Sequence, residues 1–303
     1  MSTNIFVAGL LYALLCWICP TDARGQAAPL CRGMSVKLAN GGQSCVVPGS
    51  GQAFRDCQTC PEMVVLPKGA YLRGSKNNLD LRTYNEGPIR KVSIDYHLAV
   101  GKYEVTWDEW EACITAGACQ FNPTTNSGRG RRPIFSVTWT EIHEQYLPWL
   151  NQKLGLGGTR AYRLLTEAEW EFAARGVTSS AAPHTNYPWG NVFDKTKTSF
   201  QLHGTDKVGS FPPNAFGLYD MHGNLKEWVQ DCYAESYART PTDGSKAPET
   251  TDCRRVLRGG AWGHGEEYFT SSYRDWNRPD ERLPIFGFRI ARGLSVAVSD
   301  RKR

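Results

Sequence analysis

The sequence predicts an α+β fold with its regular secondary structure concentrated before Gly176. Three observations carry that expectation. Thr106-Trp-Asp-Glu109, Thr138-Trp-Thr-Glu141 and Thr166-Glu-Ala-Glu169 are Thr-x-x-Glu capping boxes, each opening an apolar stripe of helical period. Short apolar runs bounded by turn residues precede and separate them, as strands require. From Val177 onward the chain shows almost no helical periodicity, only aromatic-Gly-Pro loops and short apolar runs. The length of 303 residues fits two domains or one large α+β domain with long loops.

Composition narrows the class. With 30 Gly, 17 Pro, 10 Trp and 13 Tyr the chain is globular and loop-rich, which excludes disorder, collagen and coiled coil. The net charge of +5 is mild and the basic residues are scattered, so no nucleic-acid partner is expected. Arg129-Gly-Arg-Arg132 reads as a solvated loop.

Residues 5–19 (IFVAGLLYALLCWIC) are uncharged and apolar, too short for a spanning helix but suited to the core of a signal peptide. Cleavage after Ala23-Arg-Gly25 assigns 1–25 to that signal, leaves no membrane span and directs the protein to the periplasm or outside the cell; an uncleaved anchor is the alternative. Cys31, Cys45, Cys57, Cys60, Cys113, Cys119, Cys232 and Cys253 then form an even set in an oxidising compartment, which reads as disulfides. Sequence proximity suggests 31 with 45, 57 with 60, 113 with 119 and 232 with 253, leaving no free thiol. Zinc is the rival reading of Cys57-Gln-Thr-Cys60, but no second C-x-x-C supplies the other ligands.

Residues 26–60 read as a small cysteine-stapled extension, 61–294 as the main domain and 295–303 as a basic tail. In the domain, Met63-Val-Val-Leu-Pro67 and Tyr71-Leu-Arg-Gly74 are expected strands, and residues 92–100 alternate as one more. Pro148 should kink or end the second helix, and Gly176 should terminate the third. No fixed-period repeat is present, so a solenoid or propeller is excluded.

Several motifs then appear in order: Gly101-Lys-Tyr-Glu-Val-Thr-Trp107, Tyr162-Arg-Leu-Leu-Thr-Glu-Ala-Glu-Trp-Glu-Phe172, Tyr187-Pro-Trp-Gly-Asn191, Gly223-Asn-Leu-Lys-Glu-Trp228, Arg258-Gly-Gly-Ala-Trp262 and Gly287-Phe-Arg289. Together they resemble the formylglycine-generating enzyme (sulfatase-modifying factor) family. The resemblance implies one domain with a C-type-lectin-like fold, low in regular structure in its C-terminal half and stabilised by Ca2+. It also implies the oxidation of a peptide cysteine at copper held by two cysteines, since Cu(I) suits thiolates. In the family those cysteines follow the Arg-Gly-Gly motif; here His264 and Phe269 occupy their positions, and the chain has no cysteine after Cys253. Copper is therefore not expected, and the histidines lack the spacing of the family's iron-dependent branch. The sequence is most similar to exported members without the cysteine pair, some of them associated with oxidative maturation of siderophore peptides.

The resemblance further implies a calcium site at Asp220-Met-His-Gly223-Asn-Leu225-Lys-Glu227, with side-chain ligands from Asp220 and Glu227 and carbonyls from Gly223 and Leu225. Two functions compete. One is oxidative maturation of a peptide or protein; the other is a non-catalytic module whose Trp262, His264, Tyr273, Arg274 and Trp276 line a groove for a peptide or glycan. No catalytic residue is assigned.

Overall fold

The computed structural model describes residues 31–75, 84–122, 128–200 and 203–294. The chain begins with a hairpin, β1 (Met34–Lys37) and β2 (Gln43–Val46), followed by β3 (Ala53–Phe54), β4 (Met63–Leu66), β5 (Gly69–Arg73), β6 (Arg90–Ile94) and β7 (Leu98–Gly101). After α1 (Trp107–Thr115), α2 (Trp139–Glu141) and α3 (Leu147–Leu154) come β8 (Arg163–Leu164) and α4 (Glu167–Arg175). The rest is β9 (Lys226–Cys232), β10 (Arg255–Arg258), β11 (Arg274–Asn277), β12 (Phe286–Gly287) and β13 (Ile290–Gly293), joined by loops and single 3-10 turns.

A five-stranded sheet runs in the order β3-β4-β7-β13-β8, and a four-stranded one β11-β10-β9-β12. β4 is apolar throughout because both its faces are covered. Met63 and Val65 enter a core with Trp107, Trp110, Tyr146, Trp228 and Phe288, whereas Val64 and Leu66 enter another with Tyr71, Val92, Trp170 and Phe172. Residues from Gly33 onward form one compact unit. The expected boundary at Pro61 does not divide it: β3 pairs with β4, and Val36, Val46 and Phe54 are core residues. Residues 92–100 also differ from a single strand. They turn at Asp95–His97, so that β6 pairs with β5 while β7 joins the larger sheet.

All three capping boxes form. Thr166 Oγ1 accepts from Glu169 N at 3.1 Å, Glu169 Oε2 accepts from Thr166 N at 2.8 Å, and Gly176 ends α4 at φ 63°. The second helix bends as Pro148 requires. A π-helical turn at Ile142–Tyr146 separates α2 from α3, and its wider turn absorbs the bond that proline cannot donate.

Beyond α4 no α-helix occurs among the described residues, and disulfides and ion pairs hold the chain. Cys57–Cys60, Cys113–Cys119 and Cys232–Cys253 are paired as expected, and Cys31 and Cys45 are also disulfide-bonded. Cys232–Cys253 closes a loop of sequence separation 21, worth about 3 kcal/mol in the chain-entropy account. No described helix is long and apolar enough to cross a membrane. Residues 1–30 and 295–303, assigned above to the signal, part of the extension and the basic tail, lie outside the described residues.

Every residue of α4 is buried, including Glu167, Glu169 and Glu171. Glu167 meets Arg274 at 2.5 Å and Arg73 at 2.7 Å. Burial alone would raise its pKa, but Arg274, Arg73 and Arg258 bring it down to about 2. Because the folded-state value lies below the unfolded one, this stabilisation is complete above the ordinary glutamate pKa and fades as pH falls through about 2. Glu167→Gln should strand buried arginines and cost about 3–5 kcal/mol in urea unfolding. It should also flatten the acid limb of the stability curve, and a loss below about 1 kcal/mol would show that the arginines do not depend on this carboxylate.

Candidate functional site

The site is built on the turn that follows β10. Gly259 and Gly260 adopt φ of 101° and 74°, which side chains resist, and a Cβ on Gly260 would come within 2.8 Å of the Tyr268 carbonyl oxygen. The turn is tied to the loop before β9: Gly223 N donates to Gly259 O at 2.7 Å and Trp262 N to Asn224 O at 3.0 Å. Its return is fixed by Arg258. That buried guanidinium donates to the carbonyls of Ser271 (2.9 Å), Ser272 (2.7 Å) and Tyr273, and pairs with Glu171 at 2.7 Å.

On this loop His264 and Phe269, singled out in the sequence, stand in different surroundings. Phe269 is fully buried, packed edge-on to Phe193 and Phe200 at 5.6 and 5.7 Å between ring centroids. His264 lies 4.8 Å from the Tyr268 ring, and burial together with the Lys226 ammonium lowers its pKa to about 4, so it is neutral at pH 7. Its Nδ1 and the Trp262 Nε1 are buried without a hydrogen-bond partner among the described residues. Both atoms are therefore available to a bound group.

The loop faces Lys226, the first residue of β9. Its buried ammonium bonds Asp275 on β11 and lies 5.8 Å from the centroids of Tyr268 and Tyr273. Lys226, Asp275 and Tyr268 join Trp262, His264 and Tyr273 without having been singled out in the sequence. Arg274 and Trp276 do not share this face. Arg274 is buried, donating to Glu167, to Asn85 O at 2.6 Å and to Ala234 O at 2.8 Å, and Trp276 is 37% exposed with Arg254 stacked on it at 4.0 Å. Tyr233 touches both. The expected five-residue groove is thus divided by the alternation of β11.

The ammonium, the indole N–H and the neutral imidazole can hold an anionic or hydrogen-bonding group against aromatic faces. They include no thiolate. Close by, a cavity of about 170 Å³ opens between Trp189, Lys197, Pro212, Pro213, Asp220 and His222. His222 connects the two regions, since its Nε2 lies 3.0 Å from Ser271 Oγ. Burial lowers its pKa to about 3, so it too is neutral.

The expected calcium ligands stand unequally. Both oxygens of Glu227 accept from Arg289 Nε at 2.8 Å, and one also accepts from Trp170 Nε1 at 2.7 Å, so this carboxylate already has its counter-charge. Asp220, at φ 57°, accepts from Gly209 N at 2.7 Å and forms no ion pair among the described residues. Glu104 faces the same loop, accepting from Asn224 Nδ2 at 2.7 Å and Leu225 N at 3.0 Å. Asp220 and Glu104 are the donors in want of positive charge, and Gly223 and Leu225 contribute backbone beside them.

Fold and site together define a mixed α/β domain with a cluster of aromatic and charged side chains at the turn after β10. The chain belongs to the sulfatase-modifying factor enzyme 1-like domain family, which matches residues 49–294. It is 33% identical over 256 residues to the serine/threonine-protein kinase pkn1 of Chlamydia pneumoniae, covering 77% of this chain and 38% of that protein. It is 33% identical to the inactive C-alpha-formylglycine-generating enzyme 2 of Bos taurus (53% and 50% covered) and 31% identical to the formylglycine-generating enzyme of Thermomonospora curvata (54% and 56%). The chain thus spans well under half the length of the kinase and about half the length of the other two relatives. Among solved structures, PvdO from Pseudomonas aeruginosa superposes with a TM-score of 0.70 at 34% identity, covering 81% of this chain and 99% of that one.

Replacing Lys226 by Met removes a cation beside His264 and leaves Asp275 unpaired. Both changes favour the imidazolium, so the His264 titration midpoint, read by NMR, should rise from about 4 toward the ordinary value. An unmoved midpoint would separate His264 electrostatically from Lys226.

Proposed function

We propose that this is an exported formylglycine-generating-enzyme-like protein acting in the oxidative maturation of a peptide or protein, and not a conventional copper-dependent cysteine-to-formylglycine oxidase. One observation supports the reading: His264 and Phe269, which the resemblance sets at the family's thiolate positions, are a neutral imidazole and a phenyl ring packed into a phenylalanine cluster. Phenylalanine has no ligand atom, and a single imidazole does not suit Cu(I) as a thiolate pair does. The short apolar run at residues 5–19 and the paired cysteines support export. The groove beside Lys226, with the neighbouring cavity, suits a peptide side chain bearing an acceptor or negative charge. The test is mass spectrometry of a Cys-x-Pro-x-Arg peptide incubated with copper-treated protein. No aldehyde and no oxygen uptake are expected; copper-dependent turnover would overturn the reading of the site.

A second reading, a binding module without chemistry, is favoured by the exposed Trp276 and Arg254 stack on the opposite face of β11. Tight peptide or glycan binding that is lost in Trp276→Ala and accompanied by no covalent change in the ligand would select it.

The same proposal includes one Ca2+ at the 220–227 loop, anchored by Asp220 with the Gly223 and Leu225 carbonyls and with Glu227 as the fourth ligand. Hard oxygen donors on a glycine-containing loop suit that ion. Chelation should lower the melting temperature, by a linkage of about 2.7 kcal/mol if calcium was at a hundredfold excess over its dissociation constant. Asp220→Ala and Glu227→Ala should abolish the chelator-sensitive part. A melting curve indifferent to chelator, with no calcium by metal analysis, would remove the ion from the scheme.

A further inference from the structure

Cys57-Gln-Thr-Cys60 lies at the turn between β3 and β4, far in sequence from the groove, and its two sulfurs are unequal. Cys57 is partly exposed, while Cys60 is fully buried. Thr59 Oγ1 lies 3.7 Å from Cys57 Sγ and accepts from the Lys153 ammonium at 3.0 Å. An acceptor bonded to a cation is polarised to donate, so the Thr59 hydroxyl is placed to stabilise negative charge on Cys57. The other charges nearby are neutralised. Arg55 pairs with Glu62 at 2.6 Å and donates to the Cys60 carbonyl, and Asp56 is held by Arg292 at 3.0 Å and by the Tyr162 hydroxyl.

Cys31 and Cys45 are disulfide-bonded and both exposed, so neither sulfur there is shielded as Cys60 is; the two pairs deeper in the domain differ in other ways. Cys113 and Cys119 are both buried. At Cys232–Cys253 the Glu249 carboxylate stands 3.1 Å from Cys232 Sγ, opposing a thiolate there and offsetting Arg255 at 3.8 Å.

We propose that Cys57–Cys60 is a thiol–disulfide exchange site whose partner is a cysteine pair of another protein. A partner thiolate attacks the accessible Cys57 sulfur, the Cys57–Cys60 bond breaks, and Cys60 leaves as thiolate and takes the proton of the partner's second thiol. The partner's second thiolate then attacks its own sulfur in the mixed disulfide, releasing Cys57 as thiolate onto the Thr59 hydroxyl. The partner loses two electrons as its disulfide forms, and Cys57 and Cys60 gain them.

Two measurements test this. Limited treatment of the unmodified, folded protein with dithiothreitol, followed by alkylation and peptide mapping, should label Cys57 and Cys60 before Cys113, Cys119, Cys232 and Cys253, with the exposed Cys31 and Cys45 scored apart. In a Cys60→Ser variant the free Cys57 should react with 5,5′-dithiobis(2-nitrobenzoate) with a rate–pH midpoint about one unit below that of Cys60→Ser/Thr59→Val. At mildly acidic pH this amounts to about tenfold more thiolate, and about threefold in rate once its lower nucleophilicity is counted. Earlier labelling of Cys113–Cys119 or Cys232–Cys253 overturns the proposal, as does a midpoint indifferent to Thr59→Val. Should Cys60→Ser fail to fold, the mapping of the unmodified protein decides alone.

Discussion

Three carboxylates at alternate positions of one nine-residue buried helix impose the constraint that the rest of the domain satisfies. Glu167, Glu169 and Glu171 cannot be removed from water as charges without partners at hydrogen-bonding distance. Arg73 comes from β5, Arg163 from β8, Arg175 from α4 itself, Arg258 from the end of β10 and Arg274 from β11. The pairs other than the one within α4 join it to three sheets, through β5, through β8 and through the neighbouring strands β10 and β11. Regular hydrogen-bond ladders are short here, and the ion pairs do part of the work that longer strands would do.

The same constraint positions the site. Arg258 spends one side of its guanidinium on Glu171 and the other on three successive carbonyls of the loop that returns to β11. The loop carrying His264 and Phe269 is therefore anchored from beneath by α4. Glu227 extends the arrangement, joining Trp170 of α4 to Arg289 between β12 and β13. The carboxylate expected to serve a metal is at the same time a structural counter-ion, so the calcium loop and the α4 network share a residue.

What was legible in the sequence was local. A threonine hydroxyl and a glutamate three residues on suffice to start a helix, and all three boxes did so; Pro148 announced the break before α3. The uninterrupted apolar run of β4 was readable as a strand, though not that its two faces enter different cores. What remained hidden was non-local. Lys226 finds its counter-charge at Asp275, 49 positions on, and nothing near either residue declares the pair. The division of Tyr273, Arg274 and Trp276 had a signal that proximity masked. Period two along β11 sets Arg274 and Trp276 on one face and Asp275 on the other, so neighbours in sequence face different surroundings.

The loop that carries His264 and Phe269 takes its frame from other groups. The path of the loop is set by two glycines at positive φ and by the bonds of Arg258, none of which involves the side chains at 264 or 269. Phe269 instead buries its ring against Phe193 and Phe200, adding apolar contact where a charged thiolate would have needed compensation. His264 adds no charge, being neutral beside Lys226. The bonds that hold this loop are therefore made by groups other than the side chains at 264 and 269. What then distinguishes the groove is the buried ammonium of Lys226, whose only ion-pair partner among the described residues is Asp275 and which faces two tyrosine rings. The paired lysine and the buried His264 Nδ1 give this face polar groups set among aromatic rings.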